Sequence, residues 1–137
     1  MIERISPPGI AAPRGPYSPA VRAGDFIFVS GQVAVDPATQ QLITGDISVE
    51  TRQVLNNIKH LLEGCGATLA DVVRCGVFLA QAGDFAAMNT VYAEFFGEAK
   101  PARATVVTGF AVPGIKVEIE AIAYQPRPAD AVSTKTL

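Results

Sequence analysis

The chain has 137 residues, 49% of them hydrophobic and 18% charged, and a formal net charge of −2 at pH 7. This length has room for one domain with a single core, and the composition is unlike that of a disordered or fibrous chain. Because the basic residues form no cluster, a nucleic-acid-binding face is not expected. No apolar run is as long as a signal peptide or a membrane span, so we expect a soluble, cytoplasmic protein.

The first part of the chain predicts an extended segment followed by a hairpin. Residues 6–19 are rich in Pro and Gly, which favours extended or turning chain over helix. Two strands follow at 21–23 and 26–33, and Gly24 and Asp25 form the expected turn between them. The second strand is apolar on both faces, so we expect it to be covered on both sides.

A long amphipathic helix is predicted after Asp46. Ser48 is its expected N-cap, and Gly64 or Gly66 is expected to end it. Its apolar positions follow the 3.6-residue period of a helix with one buried side. They are Val54, Leu55, Ile58, Leu61, Leu62 and Cys65.

The second part of the chain predicts a strand at 72–80, a helix and two more strands. The helix begins at Asp84 as its cap and ends at Gly97. Its expected buried side consists of Phe85, Met88, Tyr92, Phe95 and Phe96. The last two strands, 103–109 and 116–124, are joined by a loop that contains a Pro-Gly turn.

These elements predict a single α+β domain over residues 1–124, followed by a flexible tail over 125–137. Their order favours a sheet with two helices on one side. Two helices cannot cover both faces of a sheet, and the uncovered face would carry Val, Ile, Ala and Phe side chains. We therefore predict a symmetric oligomer that buries this face.

The last two strands carry an arginine and two glutamates. If these strands form a hairpin, Val107 lies across from Glu118 and Thr105 across from Glu120. Arg103 then shares a face with both glutamates. This arrangement is either an ion pair on a solvated face or a clamp for a carboxylate beside a general base. The residues alone leave both interpretations open.

Five short motifs occur in order along the chain. They are Gly-Pro-Tyr-Ser-Pro-Ala at 15–20, Val-Ser-Gly-Gln at 29–32, Asn-Thr-Val-Tyr at 89–92, Pro-Ala-Arg at 101–103 and Val-Glu-Ile-Glu-Ala at 117–121. Together they resemble the reactive intermediate deaminase family, the Rid or YjgF/UK114 proteins, which also go by the name endoribonuclease L-PSP. The resemblance covers about residues 2–124.

The resemblance implies a chorismate-mutase-like mixed sheet with both helices on one face, assembled as a homotrimer with ligand sites between subunits. Arg103, from Pro-Ala-Arg, would bind the substrate carboxylate, and Glu118 would position the attacking water. Glu120 remains a second choice, because the simple hairpin register places it nearer to Arg103. The other residues expected to bind substrate are Tyr17, Ser30, Gly31, Asn89 and Thr105.

The implied activity is that of a 2-iminobutanoate/2-iminopropanoate deaminase. An enamine such as 2-aminoacrylate would tautomerise to a 2-imino acid, water would add to the imine carbon, and ammonia would leave a 2-keto acid. No metal or organic cofactor is expected. Many family members carry cysteine where this chain has Thr105, so thiol chemistry is absent at that position while the backbone carbonyl remains.

Other chemistries find little support in the sequence. His60 is the only histidine, which excludes a histidine metal cluster, and neither Cys65 nor Cys75 has a histidine partner to activate it. Two alternatives to imine hydrolysis stay open: a ligand-binding or chaperone-like regulatory trimer, and a dedicated catabolic deaminase such as a 2-aminomuconate deaminase. A ribonuclease or translation inhibitor is disfavoured by the acidic charge balance.

Overall fold

The computed structural model describes residues 1–127, which form ten helices and strands. In chain order these are β1 (Ile2–Ile5), β2 (Ala20–Ala23), β3 (Phe26–Gln32), β4 (Val35–Asp36), β5 (Gln41–Leu42), α1 (Ile47–Gly64), β6 (Val72–Leu79), α2 (Phe85–Phe96), β7 (Ala102–Val107) and β8 (Val117–Tyr124). Short 3-10 turns precede β6 and flank α2. The expected strands and both expected helices are present.

Six of the strands form one mixed sheet, in the order β1-β2-β3-β8-β6-β7. Neighbours pair antiparallel except β6 and β7, which are parallel. Both helices pack on the same face of this sheet and against each other. Alternate residues of the central strands, such as Ile27, Val77 and Ile119, are fully or almost fully buried beneath them. The predicted α+β class, with two helices on one face, is confirmed.

The N-terminus of α1 differs from the prediction in its capping residue. Asp46, not Ser48, is the N-cap, and its Oδ1 accepts a hydrogen bond from the backbone N–H of Val49 at 3.0 Å. Asp46 has the extended backbone that an N-cap requires, whereas Ser48 is already inside the helix. The helix ends at Gly64, and Gly66 just beyond it has a positive φ of 83°.

The second helix matches the predicted boundaries, but two of its residues differ from expectation. Asp84 lies at the N-terminus without a capping hydrogen bond from its side chain. Phe85, predicted to be buried, is 45% exposed. Gly97 ends the helix with a positive φ of 53°, a conformation that glycine adopts without strain.

The predicted hairpin between the last two strands is wrong. Helix α2 connects β6 to β7, so that β7 runs parallel to β6 and forms the edge of the sheet beside it. The following segment then leads to β8, which lies between β3 and β6. Cys75 of β6 is therefore the register partner of both Arg103 and Ala121. Arg103 shares the helix-covered face with Ala121, while Glu118 and Glu120 lie on the opposite, open face.

The open face carries exposed aromatic and aliphatic side chains, as expected for a sheet with both helices on its other face. Phe26 and Phe28 of β3, Val106 of β7 and Tyr124 of β8 are each between 41% and 48% exposed. The ring centroids of Phe26 and Tyr124 are 5.2 Å apart. Within residues 1–127, no helix combines the length and apolarity needed to cross a membrane.

The start of the predicted tail contacts the domain. The backbone N–H of Gln125 donates to the carbonyl of Asp25 at 2.8 Å, and Arg127 forms an ion pair with Glu3. The rest of the predicted tail, residues 128–137, lies outside the described residues.

Candidate active site

A cleft of about 620 Å³ lies at one end of the open face. It is located where the pairing register of β3 with β8 shifts, between Val29 and Gln32, as at a β-bulge. Its lining consists of Gly31, the polar residues Arg14, Tyr17, Ser30, Glu118 and Glu120, and the apolar residues Val33, Leu42, Phe110, Ala111, Val112 and Ile115. Four of the residues predicted for the substrate site therefore meet within one chain.

Ser30 fixes the segment that carries Tyr17. Its hydroxyl donates to the carbonyl of Ser18 at 2.6 Å, and its backbone N–H donates to the carbonyl of Pro19 at 3.0 Å. The Tyr17 hydroxyl accepts a hydrogen bond from the backbone N–H of Arg14 at 3.3 Å, and Tyr17 is 51% exposed. Ser30 thus positions the tyrosine at the cleft.

Gly31 leaves the space that the Glu118 carboxylate occupies. A Cβ at residue 31 would lie 2.0 Å from Glu118 Oε2, so any other residue would displace the carboxylate. Within residues 1–127, this carboxylate has no ion-pair or hydrogen-bond partner. Burial raises the pKa of the Glu118 carboxyl, and the charge of Glu120 raises it further. An unpaired carboxylate with increased proton affinity is suited to act as a general base.

Glu120 lies on the same face but in a different environment. Its Oε2 is 3.5 Å from Nη1 of Arg74, and both side chains are about half exposed. It also lies against Gly76, where an added Cβ would be 2.9 Å from Oε2. Since Glu120 is paired with a cation while Glu118 is not, the geometry favours Glu118 as the residue that handles a water.

Arg103 lies on the helix-covered face, against two aromatic rings of α2. Its guanidinium carbon is 4.8 Å from the ring centroid of Tyr92 and 5.7 Å from that of Phe85, within the range of cation–π contacts. Asn89 is four residues after Phe85 and three before Tyr92, which places it on the same side of the helix. Thr105 is two residues after Arg103 and on the same side of β7.

Two polar atoms of this region, Asn89 Oδ1 and Thr105 Oγ1, are buried without a hydrogen-bond partner among the described residues. Burial raises the pKa of the Tyr92 hydroxyl, and its interaction with the Cys75 thiol raises it further, so the hydroxyl keeps its proton. An unsatisfied buried polar group costs roughly 1–3 kcal/mol, and such groups are usually paired. Their gathering next to a guanidinium marks a place that a ligand or a second chain would complete.

The predicted site residues thus form two groups on opposite faces of the sheet. Arg103, Asn89 and Thr105 belong to the helix-side group, and the others line the cleft. The prediction that Arg103 shares a face with Glu118 and Glu120 is wrong for a single chain. Two residues were missed by sequence reasoning: Arg14 of the cleft and Tyr92 as the support of Arg103. Tyr92 could have been predicted, because its three-residue spacing from Asn89 places both residues on one side of the helix.

Neither cysteine has the properties of an activated thiol. Burial raises the pKa of both Cys75 and Cys65, which favours the unreactive protonated form at neutral pH. The part of the chain that the structure describes contains no group of three His, Cys, Asp or Glu side chains that could hold a metal ion.

Comparison with known proteins finds relatives of this chain in one family. The family model described as Endoribonuclease L-PSP matches residues 9–125. A RutC family protein of Pyrococcus horikoshii is 51% identical over 113 residues, which cover 82% of this chain and 90% of that protein. The structure of RidA from an Antarctic Psychrobacter species superposes with a TM-score of 0.85 at 38% identity and covers 89% of this chain and 98% of that one. The chain belongs to the Rid (YjgF/UK114) family, also described as endoribonuclease L-PSP.

Two further relatives carry names that state an activity. The 3-aminoacrylate deaminase RutC of Acinetobacter baylyi is 39% identical over 122 residues, or 89% of this chain and 97% of that protein. A 2-iminobutanoate/2-iminopropanoate deaminase of Capra hircus is 43% identical over 111 residues, or 81% of each chain. Deaminase activity is therefore represented among the named relatives.

Proposed function

We propose that this protein hydrolyses reactive enamines and 2-imino acids to 2-keto acids and ammonia, in sites formed between adjacent copies of a homotrimer. The observation that carries the proposal is the division of polar groups between two faces. One face offers a guanidinium among unsatisfied polar atoms, and the other offers an unpaired glutamate in a cleft. The names of the deaminase relatives support the reaction class.

The trimer is supported by the exposed apolar side chains of the open face. Phe26, Phe28 and Val106 lie on the side of the sheet that neither helix covers. Exposed apolar side chains on an uncovered sheet face are typical of an interface, and closed symmetry would bury the same face on every copy. A neighbouring copy seated there would bring its edge strand β7, with Arg103, towards the cleft that contains Glu118.

In the proposed reaction, Arg103 binds the substrate carboxylate through two parallel N–H···O bonds. Glu118 accepts a proton from water as the water oxygen forms a bond to the carbon of the protonated imine, giving a neutral tetrahedral aminoalcohol. Glu118 returns this proton to the nitrogen, and the C–N bond breaks as ammonia leaves. The hydroxyl proton then passes to Glu118 as the keto group forms, and ammonia takes it up as ammonium. The raised pKa of Glu118 strengthens it as a proton acceptor, and holding substrate and water together supplies much of the rate gain.

The test is the rate at which the protein removes imines that amino-acid oxidases generate from leucine and methionine. The native protein should accelerate their loss, and Arg103→Ala should lower kcat/KM by about 100-fold or more, because a bidentate charge-assisted contact is lost. Arg52→Ala is the matched control, since Arg52 also lies over an aromatic ring, that of Phe95, at 5.9 Å on the helical surface.

Light scattering on each variant should show the same assembly as the native protein. If the native protein accelerates no imine from a broad panel of amino acids, the proposal fails. Tight binding of 2-keto acids without turnover would instead support the ligand-binding alternative.

A further inference from the structure

A second guanidinium lines the cleft and has no role in the reaction described above. Arg14 lies three residues before Tyr17, and its side chain donates a hydrogen bond to the carbonyl of Gln40. The backbone beside it is held by the same residue, because the N–H of Ala12 donates to Gln40 Oε1 at 2.9 Å. One hydrogen bond to Gln40 thus holds the exposed Arg14 side chain, and the other holds the backbone two residues before it.

The charge of Arg14 is not neutralised within residues 1–127. No carboxylate of the described chain lies within ion-pair distance of it, although Glu120 in the same cleft is paired with Arg74. A guanidinium has five N–H donors, and the structure uses one of those of Arg14, for the Gln40 carbonyl. Enough N–H donors remain for bidentate binding of a carboxylate.

Arg14 is also close to the reacting end of the cleft. It lines the main cavity together with Tyr17 and Gly31, and the same three residues line a smaller adjoining cavity. Gly31 in turn lies directly against the Glu118 carboxylate. A substrate that reacts beside Glu118 therefore has a guanidinium within the same cleft.

The remaining wall of the cleft is apolar, with Leu42, Phe110, Val112 and Ile115 among its residues. In a single chain the cleft has a volume of about 620 Å³, which leaves room beside a neighbouring copy for a side chain longer than that of a three-carbon imino acid. An apolar wall with one unpaired cation among the described residues fits a short hydrocarbon chain that ends in an anionic group.

We propose that Arg14 makes this site selective for 2-imino acids with a second carboxylate at the end of the side chain, such as those formed from aspartate and glutamate. This inference rests on the proposed function. The first carboxylate binds Arg103 of a neighbouring copy, and the second binds Arg14. Selectivity then comes from the cleft, while the anchoring of the first carboxylate is common to all substrates.

The experiment compares kcat/KM for imines generated by oxidases from aspartate and glutamate with kcat/KM for those from leucine and methionine. In the native protein the acidic imines should be preferred. Arg14→Gln should lower the ratio of acidic to apolar kcat/KM about tenfold, the effect expected from losing a hydrogen-bonded charge pair. Arg14→Lys should keep part of the preference.

Lys59→Gln is the matched control, because it removes one positive charge from an exposed position of α1, outside the cleft, and should leave the ratio unchanged. The inference is overturned if the native protein shows no preference, or if Arg14→Gln lowers kcat/KM for both classes equally. If the leucine imine is still hydrolysed in these cases, the proposed deaminase function is unaffected. If no imine is hydrolysed, both the proposed function and the selectivity of Arg14 are wrong.

Discussion

The cleft and the Arg103 region differ in what each lacks. In the cleft, the Glu118 carboxylate lies in the space left by Gly31 and has no partner among residues 1–127. On the other face, Arg103 is supported by two rings, and its neighbours Asn89 and Thr105 have unsatisfied buried oxygens. The cleft offers a base but lacks the anchor proposed for the first substrate carboxylate, and the Arg103 region offers that anchor without a base. In the proposed arrangement each region is half of a site, which would make assembly a requirement for catalysis.

This comparison predicts that two inactive variants can restore each other. Arg103→Ala and Glu118→Gln should each be nearly inactive, because each removes one half from every site. In trimers formed by unfolding and refolding an equal mixture, about a quarter of the sites would combine an intact Arg103 with an intact Glu118 from neighbouring copies. Activity should therefore return to about a quarter of the native value.

The same mixture separates the proposed arrangement from one in which each chain contains its own complete site. Without exchange between copies, the mixed protein would stay as inactive as its two components. A sample of Arg103→Ala that is unfolded and refolded alone controls for any activity that refolding itself produces. Persistent inactivity in mixed trimers would show that the two regions do not combine.

A smaller but still large effect is expected at Gly31. In Gly31→Ala, the added Cβ would overlap the position of Glu118 Oε2 and displace the carboxylate from its place. Misplacing a catalytic group by about 1 Å can reduce the rate about 100-fold, so kcat should fall by about that factor while the protein still folds. The measurement is kcat for the imine of leucine, together with the thermal unfolding temperature.

Gly83→Ala is the corresponding control, because a Cβ there would have no atom within 4 Å. It should change neither kcat nor stability appreciably. Should Gly31→Ala keep its native kcat, the cleft would tolerate a shifted Glu118, and the idea that Gly31 sets the position of the base would be wrong.

Local patterns in the sequence were enough to predict the helices, the strands and the two-layer arrangement. The stripe from Val54 to Leu62 and the turn at Gly24 depend on neighbouring residues, and both are found in the structure. The order of strands in the sheet depends on contacts between distant segments. Strand β7 follows α2 and pairs parallel with β6, and nothing within residues 102–124 distinguishes this from a hairpin with β8.

The same limit explains which site residues were grouped correctly. Tyr17, Ser30 and Glu118 belong to three of the sequence motifs, and the structure brings them together in the cleft. The face that Arg103 occupies could not be predicted, because its neighbours follow from the strand order. Arg14 has no motif at all, and its significance depends on a cavity that only the folded chain forms.

The smallest expected effect concerns the negative charge of Glu120, which acts on the pKa of the neighbouring Glu118. Burial is the larger cause of the raised pKa of Glu118, and the negative charge of Glu120 is the second. As a base, Glu118 must be deprotonated, so kcat/KM falls as the pH drops through its pKa. Glu120→Gln removes the second cause and lowers the pKa of Glu118, so the acid limb of the pH profile should move to lower pH. Glu63→Gln, on the exposed surface of α1, should leave the limb in place, and a shift to higher pH in Glu120→Gln would contradict Glu118 as the base.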